Sequence, residues 1–374
     1  MELVDEGLLQ VGEGFVTHID RCLDCRACET ACPSGVEYGK LVEAARAQIE
    51  QQYRRPVASR LARDLVYRRL LPYPRRIRLL ARLLRLYQRS GLAAVARGIG
   101  LLRLLGLESR ERLLPEIDAS FFSGDMGKTF AAGGARRARV ALFAGCIASV
   151  TFSELNRATI RVLQANGCEV VVPAGQVCCG ALPAHAGIRD VARALARANL
   201  LAFRQGDFDA IITNAAGCGS TLKEYRYLLG DETDDPAAAF AGQVRDVSEF
   251  LVELGLTARM HPVPLSVTYQ DSCHLAHGQK IREAPRTLIR SIPGVELVEM
   301  ALADQCCGSA GVYNVTETEA SMELLRAKMG CVRETRAQAV VTSNPGCILQ
   351  LRPATDRLGV ETLHVVELLD RAIR

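Results

Sequence analysis

Three cysteine-bearing landmarks occur twice in the chain, in the same order. "VALFAGCIAS" (140–149) answers to "SVTYQDSCHLAH" (266–277), and "EVVVPAGQVCCGALPAHAG" (169–187) to "ELVEMALADQCCGSAGVYN" (296–314). "DAIITNAAGCGS" (209–220) answers to "QAVVTSNPGCIL" (338–349). Cys146 and Cys273, Cys178 and Cys306, and Cys218 and Cys347 are separated by 127, 128 and 129 residues. Three matched landmarks at a nearly constant offset mark an internal duplication, so one fold must serve both copies.

Within the first copy, the short aliphatic runs "RVALFAG", "CEVVVP" and "DAIITNA" alternate with "FSELNRATIRVLQANG" and "GIRDVARALARANLLAFRQG". Apolar runs bounded by glycine, alternating with amphipathic stretches of about 15 residues, specify βαβ units and a parallel sheet. The second copy repeats the plan, with helices predicted near 278–291 and 316–330. The fold class is therefore α/β, with the duplicated sheets at residues 139–262 and 263–374. Residues 1–40 carry a further cysteine run. Residues 41–138 read as a helical, arginine-rich segment ending in the glycine-rich connection "FFSGDMGKTFAAGGARR".

The cysteines fall where such a sheet binds ligands. Cys146, the pair Cys178 and Cys179, and Cys218 each follow a predicted strand; Cys273, the pair Cys306 and Cys307, and Cys347 do so in the second copy. Open parallel sheets bind ligands outside the carboxyl ends of their strands, which collects four thiols per copy at one edge. Buried packing explains an isolated cysteine such as Cys168 or Cys331, but not adjacent pairs repeated at loop junctions. Four thiolates suit zinc as well as iron and sulfide, and spacing alone does not separate the two.

The N-terminal run "DRCLDCRACETACPSG" sets Cys22, Cys25, Cys28 and Cys32 as C-x₂-C-x₂-C-x₃-C-P, the ferredoxin-like pattern for a [4Fe–4S] cluster. In two-cluster ferredoxins the fourth cysteine of such a run serves the other cluster, and this chain has no second copy of it. This run shifts the weight at the duplicated sites toward iron and sulfide.

Other chemistries leave little trace. No G-x-G-x-x-G marks a nucleotide site, and neither G-x-S-x-G nor H-E-x-x-H occurs. His274 and His277 stand beside Cys273, where a hydrogen-bonding role at a helix start is the default; His18, His185, His261 and His364 read as ordinary surface or core residues. A net charge of +4 conceals ten arginines and no other charged residue between Leu65 and Leu107, leaving −6 elsewhere. Arg75, Arg78, Arg82, Arg85 and Arg89 form one helical stripe, with Leu79, Leu80, Leu83, Leu84 and Leu86 around the rest. Such a helix suits an anionic membrane surface, an acidic partner or its own protein's core. Without interleaved aromatics it does not read as a nucleic-acid surface. No apolar stretch reaches the ~20 residues of a membrane span, and no secretory signal is visible. The expected location is cytoplasmic, with residues 75–107 available for peripheral contact on the inner face of the cell membrane.

The paired C…CCG…GC pattern resembles the cysteine-rich CCG domain family, which also occurs in heterodisulfide reductase. Together with "HIDRCLDCRACETACPSGVEYGKLVEAAR", "QVCCGA", "AAGCGSTLKEY", "QCCGSAGVYNVT" and "NPGCI", the chain resembles the iron–sulfur subunits of glycolate oxidase (glycolate dehydrogenase) over nearly its whole length. The resemblance implies that Cys22, Cys25, Cys28, Cys32, Cys146, Cys178, Cys179, Cys218, Cys273, Cys306, Cys307 and Cys347 hold iron–sulfur clusters. It also implies a flavin on a partner subunit that oxidises glycolate to glyoxylate, and a quinone-type acceptor. The chain would then be a subunit of an oxidoreductase that by itself oxidises no substrate.

Two departures qualify the resemblance. The terminal C-x-x-C of heterodisulfide reductase is interrupted here by Thr221 and Gln350, which argues against its five-thiolate, non-cubane site. Glycolate oxidase iron–sulfur subunits also usually carry an earlier copy of the ferredoxin-like run. Our reading is that the sequence starts at an internal Met, so that Cys32 serves a cluster whose other thiolates lie upstream. The alternatives are that a partner supplies them or that Cys32 closes its own cluster. A partner acting on lactate, another 2-hydroxy acid or glycerol 3-phosphate remains open at this stage, as do a heterodisulfide-reductase-like activity and a zinc-stapled scaffold.

Overall fold

The computed structural model describes residues 1–104, 111, 114–204, 206–230 and 236–374. Two sheets carry the duplication. The first has the order β1-β3-β2-β4-β5, built from Thr129–Phe130, Cys168–Val171, Ala138–Phe143, Ala210–Thr213 and Val244–Asp246. The second runs β7-β6-β8-β9, from Val295–Leu297, Leu265–Tyr269, Ala339–Thr342 and Glu361–His364. Strands β2 to β5 are mutually parallel, as are β6 to β9, and only β1 is antiparallel to its neighbour. Both copies thus share the strand order second, first, third, fourth. The chain reverses direction across the sheet at the first strand, which places the ligand crevice at its carboxyl end.

Each copy has one more parallel strand than the sequence reading gave it, and the connection at 115–138 contains the short β1. The helices expected near 278–291 and 316–330 are Glu283–Arg290 and Thr318–Thr335.

Buried residues of both sheets, including Val140, Leu142, Val267, Tyr269 and Val341, belong to one continuous apolar core. Helix Ser153–Ala165 packs on helix Val365–Ile373. Across that contact the Arg161 guanidinium donates two hydrogen bonds to Asp370, at 2.8 and 2.7 Å.

The N-terminal region is helical, as its composition suggests, in pieces divided at Pro56, Pro72 and Pro74. Helix Pro74–Arg89 buries Ile77 and Ala81 against a cluster that includes Val150, Ile188 and the partly buried Cys146. Residues 105–107 of the basic segment lie outside the described residues.

Candidate metal centres

Both Cys-Cys-Gly turns are built alike, and the glycine explains why. Gly180 and Gly308 have φ of +89° and +90°, a conformation that a side chain resists. A Cβ on Gly308 would also lie 2.5 Å from Ser321 O, and one on Gly180 3.3 Å from Ala192 O. This turn lets the Gly308 N–H donate to Cys306 Sγ at 3.4 Å. In the first copy Asn199 braces the pair: its Oδ1 accepts from Val177 N–H, and its Nδ2 donates to Cys178 O. The Tyr225 hydroxyl donates to Cys179 O at 2.8 Å.

The thiols of each copy meet in sequence. Cys146 contacts Cys178, Cys178 contacts Cys179, and Cys179 Sγ lies 3.3 Å from Cys218 Sγ. Cys273, Cys306, Cys307 and Cys347 form the same chain of contacts. Hydrogen bonds from neighbouring thiols hold Cys178 and Cys306 well below the ordinary thiol range, helped by the Gly180 and Gly308 N–H groups. The same contacts, together with burial, push Cys146, Cys179, Cys273 and Cys307 up. Such a set does not ionise throughout without a cation, and a bound metal would release its remaining protons.

Three thiols around one zinc ion stand about 3.8 Å from one another. Among the described residues, no three thiols come within even 4.8 Å of one another. Each copy's thiols therefore form a row of close pairs and not a cage closed around one ion, and a set of four soft sulfur donors is the chemistry that an iron–sulfur cluster takes.

The N-terminal run lies between the two cysteine edges. Arg26, 5% exposed, pairs with Glu224 at 2.6 Å and reaches Ser220 of the first copy. Thr30 is hydrogen-bonded to His277 of the second copy, and the Tyr313 hydroxyl donates to Arg21 O. Burial pushes Cys25 up to about 11, with the charges of Cys306, Cys22 and Cys28 adding to it. Cys273 likewise feels Cys25. Cys25 therefore adjoins the second copy's set. Cys32 is set differently: hydrogen bonds from the backbone N–H groups of Val36, Ser34 and Gly35 lower it.

Cys168 is buried in β3, and Cys331 is half-buried on helix Thr318–Thr335. Thr221 donates to Gly217 O and Gln350 donates to the Ser321 hydroxyl, so both positions where a C-x-x-C would end are occupied by hydrogen bonds of the framework. His274 begins a turn of π-helix, with Nδ1 3.5 Å from Cys273 Sγ and Nε2 lacking any partner. Two residues that motif reading passed over adjoin the cysteines: His185, beside Asp24 and Glu43, and the fully buried Lys328. No local signal marks either, because their partners lie far along the chain. A cleft of about 420 Å³ is lined by charged residues including Arg161, Arg371 and Asp370 and holds no cysteine.

The comparisons with known proteins agree with this architecture. The family described as "Cysteine-rich domain" matches residues 140–223 and 267–352. "Glycolate oxidase iron-sulfur subunit, linker region" matches residues 58–114. The chain is 41% identical to the "Probable glycolate oxidase iron-sulfur subunit" of Bacillus subtilis, over 99% of this chain and 85% of the relative. It is 30% identical to the "Glycolate oxidase iron-sulfur subunit" of Escherichia coli, over 95% and 82% respectively. Similarity to a subunit of the "Fumarate reductase (CoM/CoB)" of Methanothermobacter marburgensis, at 37%, covers 63% of this chain and 46% of that protein. This chain belongs to the glycolate oxidase iron–sulfur subunit family.

Proposed function

We propose that the chain is the electron-transfer subunit of a flavin-dependent complex that oxidises glycolate to glyoxylate. The observation that supports this reading is that the N-terminal cysteine run packs against both cysteine-bearing copies, Arg26 on Glu224 and Ser220 and Thr30 on His277, with Cys25 beside Cys306 and Cys273. Glycolate oxidation releases two electrons and two protons, which a flavin on a partner subunit accepts together. Clusters of the [4Fe–4S] type, when bound, supply the one-electron carriage that an amino-acid side chain does not.

The chain's own residues hold and order that carriage. Cys22, Cys25 and Cys28 hold the position next to Cys273, Cys306, Cys307 and Cys347. Cys146, Cys178, Cys179 and Cys218 hold the remaining one. Cys32 faces a further cluster. A quinone-type acceptor receives two electrons and two protons to become the quinol. By itself the chain oxidises no substrate. The exposed basic helix supports peripheral contact of the complex with an anionic membrane surface.

The test is anaerobic purification of the chain with and without its flavin-binding partner subunits, followed by iron and sulfide counting and addition of glycolate. Glycolate is expected to bleach the visible cluster absorption only when the flavin subunits are present. Lactate and glycerol 3-phosphate, added in parallel, identify the substrate class. Bleaching of the isolated chain by glycolate, or a preparation without sulfide, would overturn the proposal.

A further inference from the structure

A knot of harder donors sits among the cysteine groups and takes no part in thiol chemistry. Asp24 comes from the N-terminal run, Glu43 from helix Tyr38–Gln52, and His185 from the end of helix Ala181–His185 in the first copy. Among the described residues, Asp24, Glu43 and His185 are the one trio whose candidate ligand atoms all lie within 4.8 Å of one another. His185 Nδ1 is 2.7 Å from Glu43 Oε1 and 3.0 Å from Asp24 Oδ2.

That geometry is one donor short if protons alone fill it. An imidazole Nδ1 carries a single proton or a single lone pair, so it serves one of the two oxygens. Its hydrogen bond goes to Glu43. Asp24 is 4% exposed, yet neither carboxylate oxygen has a hydrogen-bond partner. Leaving a buried carboxylate without one is costly. Arg46 Nη1 stands 3.7 Å from Asp24 Oδ2, beyond hydrogen-bond length, while three of the five guanidinium hydrogens go to the carbonyls of His185, Ile19 and Cys22. His274, whose ring centroid lies 5.1 Å from that of His185, adds an Nε2 that is buried and unpartnered.

We propose that Asp24, Glu43 and His185 bind one divalent transition-metal ion, distinct from the cysteine-held clusters. A metal at about 2.1 Å from its ligands spaces them about 3.0–3.4 Å apart, so the observed distances need open by only a few tenths of an ångström. One imidazole and two carboxylates suit Zn²⁺ or Mn²⁺. A cation there satisfies both Asp24 and Glu43 at once, and ties the cysteine run to the first copy.

The experiment uses cluster-loaded holoprotein, washed with chelator and titrated anaerobically with MnCl₂ while free Mn²⁺ is followed by electron paramagnetic resonance. The wild type is expected to take up one tight equivalent, which Zn²⁺ displaces. Glu43→Gln and His185→Asn are each expected to weaken uptake by about a hundredfold or more, with iron and sulfide contents unchanged. Absence of Mn²⁺ uptake by the wild type, or uptake by both variants equal to that of the wild type, would overturn the site and leave an ion pair. Should the variants lose their clusters, the wild-type spectrum decides: nitrogen hyperfine coupling on bound Mn²⁺ supports the His185 ligand, and its absence refutes it.

Discussion

Duplication lets single residues be compared inside one protein. The main chain of Ala192 crowds Gly180 as that of Ser321 crowds Gly308, so these two helix positions correspond. Seven residues on, Asn199 corresponds to Lys328, and both are 0% exposed. Asn199 braces Cys178 as a neutral amide, whereas Lys328 donates to the carbonyls of Leu302 and Ala303. Burial lowers the Lys328 pKa, opposed by the charges of Cys307, Cys331 and Cys306, so its ammonium and those sulfurs stabilise one another. A buried cation beside one cysteine set and an amide beside the other makes the added electron more favourable in the second copy. Lys328→Met is therefore expected to lower the midpoint potential of one of the two duplicated centres and leave the other unchanged in a redox titration followed by paramagnetic resonance. Equal shifts at both, or none, would refute that asymmetry. The cysteines themselves were legible in the sequence because spacing and repetition are local properties. Lys328 and His185 were not, because each takes its meaning from partners distant in the chain; Glu43 precedes His185 by 142 residues.

The helices closing the two sheets show what periodicity leaves out. β5 and β9, Val-Arg-Asp and Glu-Thr-Leu-His, carry no apolar run such as marks Ala210–Thr213 or Ala339–Thr342, and β1 has two residues. Each fourth strand nevertheless leads into a capped helix. Asp246 accepts from Ser248 N–H while Glu249 accepts from Asp246 N–H; His364 Nδ1 accepts from Val366 N–H while Glu367 accepts from His364 N–H. A capping box with Asp at its head can be read from sequence; one headed by His cannot, since the imidazole accepts only when neutral. Burial enforces that state, pressing the His364 pKa down to about 4 against the pull of nearby carbonyls. A depressed folded pKa means that stability present above the unfolded value near 6.5 is lost as pH falls toward 4. Between pH 7 and pH 5 the wild type is expected to lose about 2 kcal/mol relative to His364→Asn, which keeps an acceptor but does not titrate. Asp246, pushed up to about 6 by burial, is present in both proteins and cancels. Urea unfolding at the two pH values reads the difference, and a gap that does not change with pH would show that His364 is not held neutral.

The exposed face of the basic segment bears on where the assembled protein works. Helix Pro74–Arg89 divides into three sectors: Ile77 and Ala81 face the protein, the arginine stripe occupies a second side, and Leu79, Leu80, Leu83 and Leu86 remain 57%, 49%, 57% and 61% exposed. Its own protein's core therefore takes only one sector of the helix. Leu61 and Leu65, on the helical segments that precede it, are also 63% and 60% exposed. Among the described residues no helix is long and apolar enough to cross a membrane. A surface of leucines flanked by arginines instead matches the interface of an anionic bilayer, where each basic residue contributes about 1 kcal/mol. Quinones dissolve in such a bilayer, so a quinone acceptor, as proposed above, would be met at the same contact; Cys146 packs in the apolar cluster beneath this helix. The holoprotein is expected to sediment with vesicles containing anionic lipid at low salt, to be released as ionic strength rises, and to ignore zwitterionic vesicles. Replacing the exposed Arg75, Arg82 and Arg89 together by Gln should weaken binding roughly a hundredfold, given three contacts of about 1 kcal/mol each. Binding that is indifferent to salt and to these three residues would assign the apolar face to a protein partner instead, and the route to quinone would then have to run through that partner.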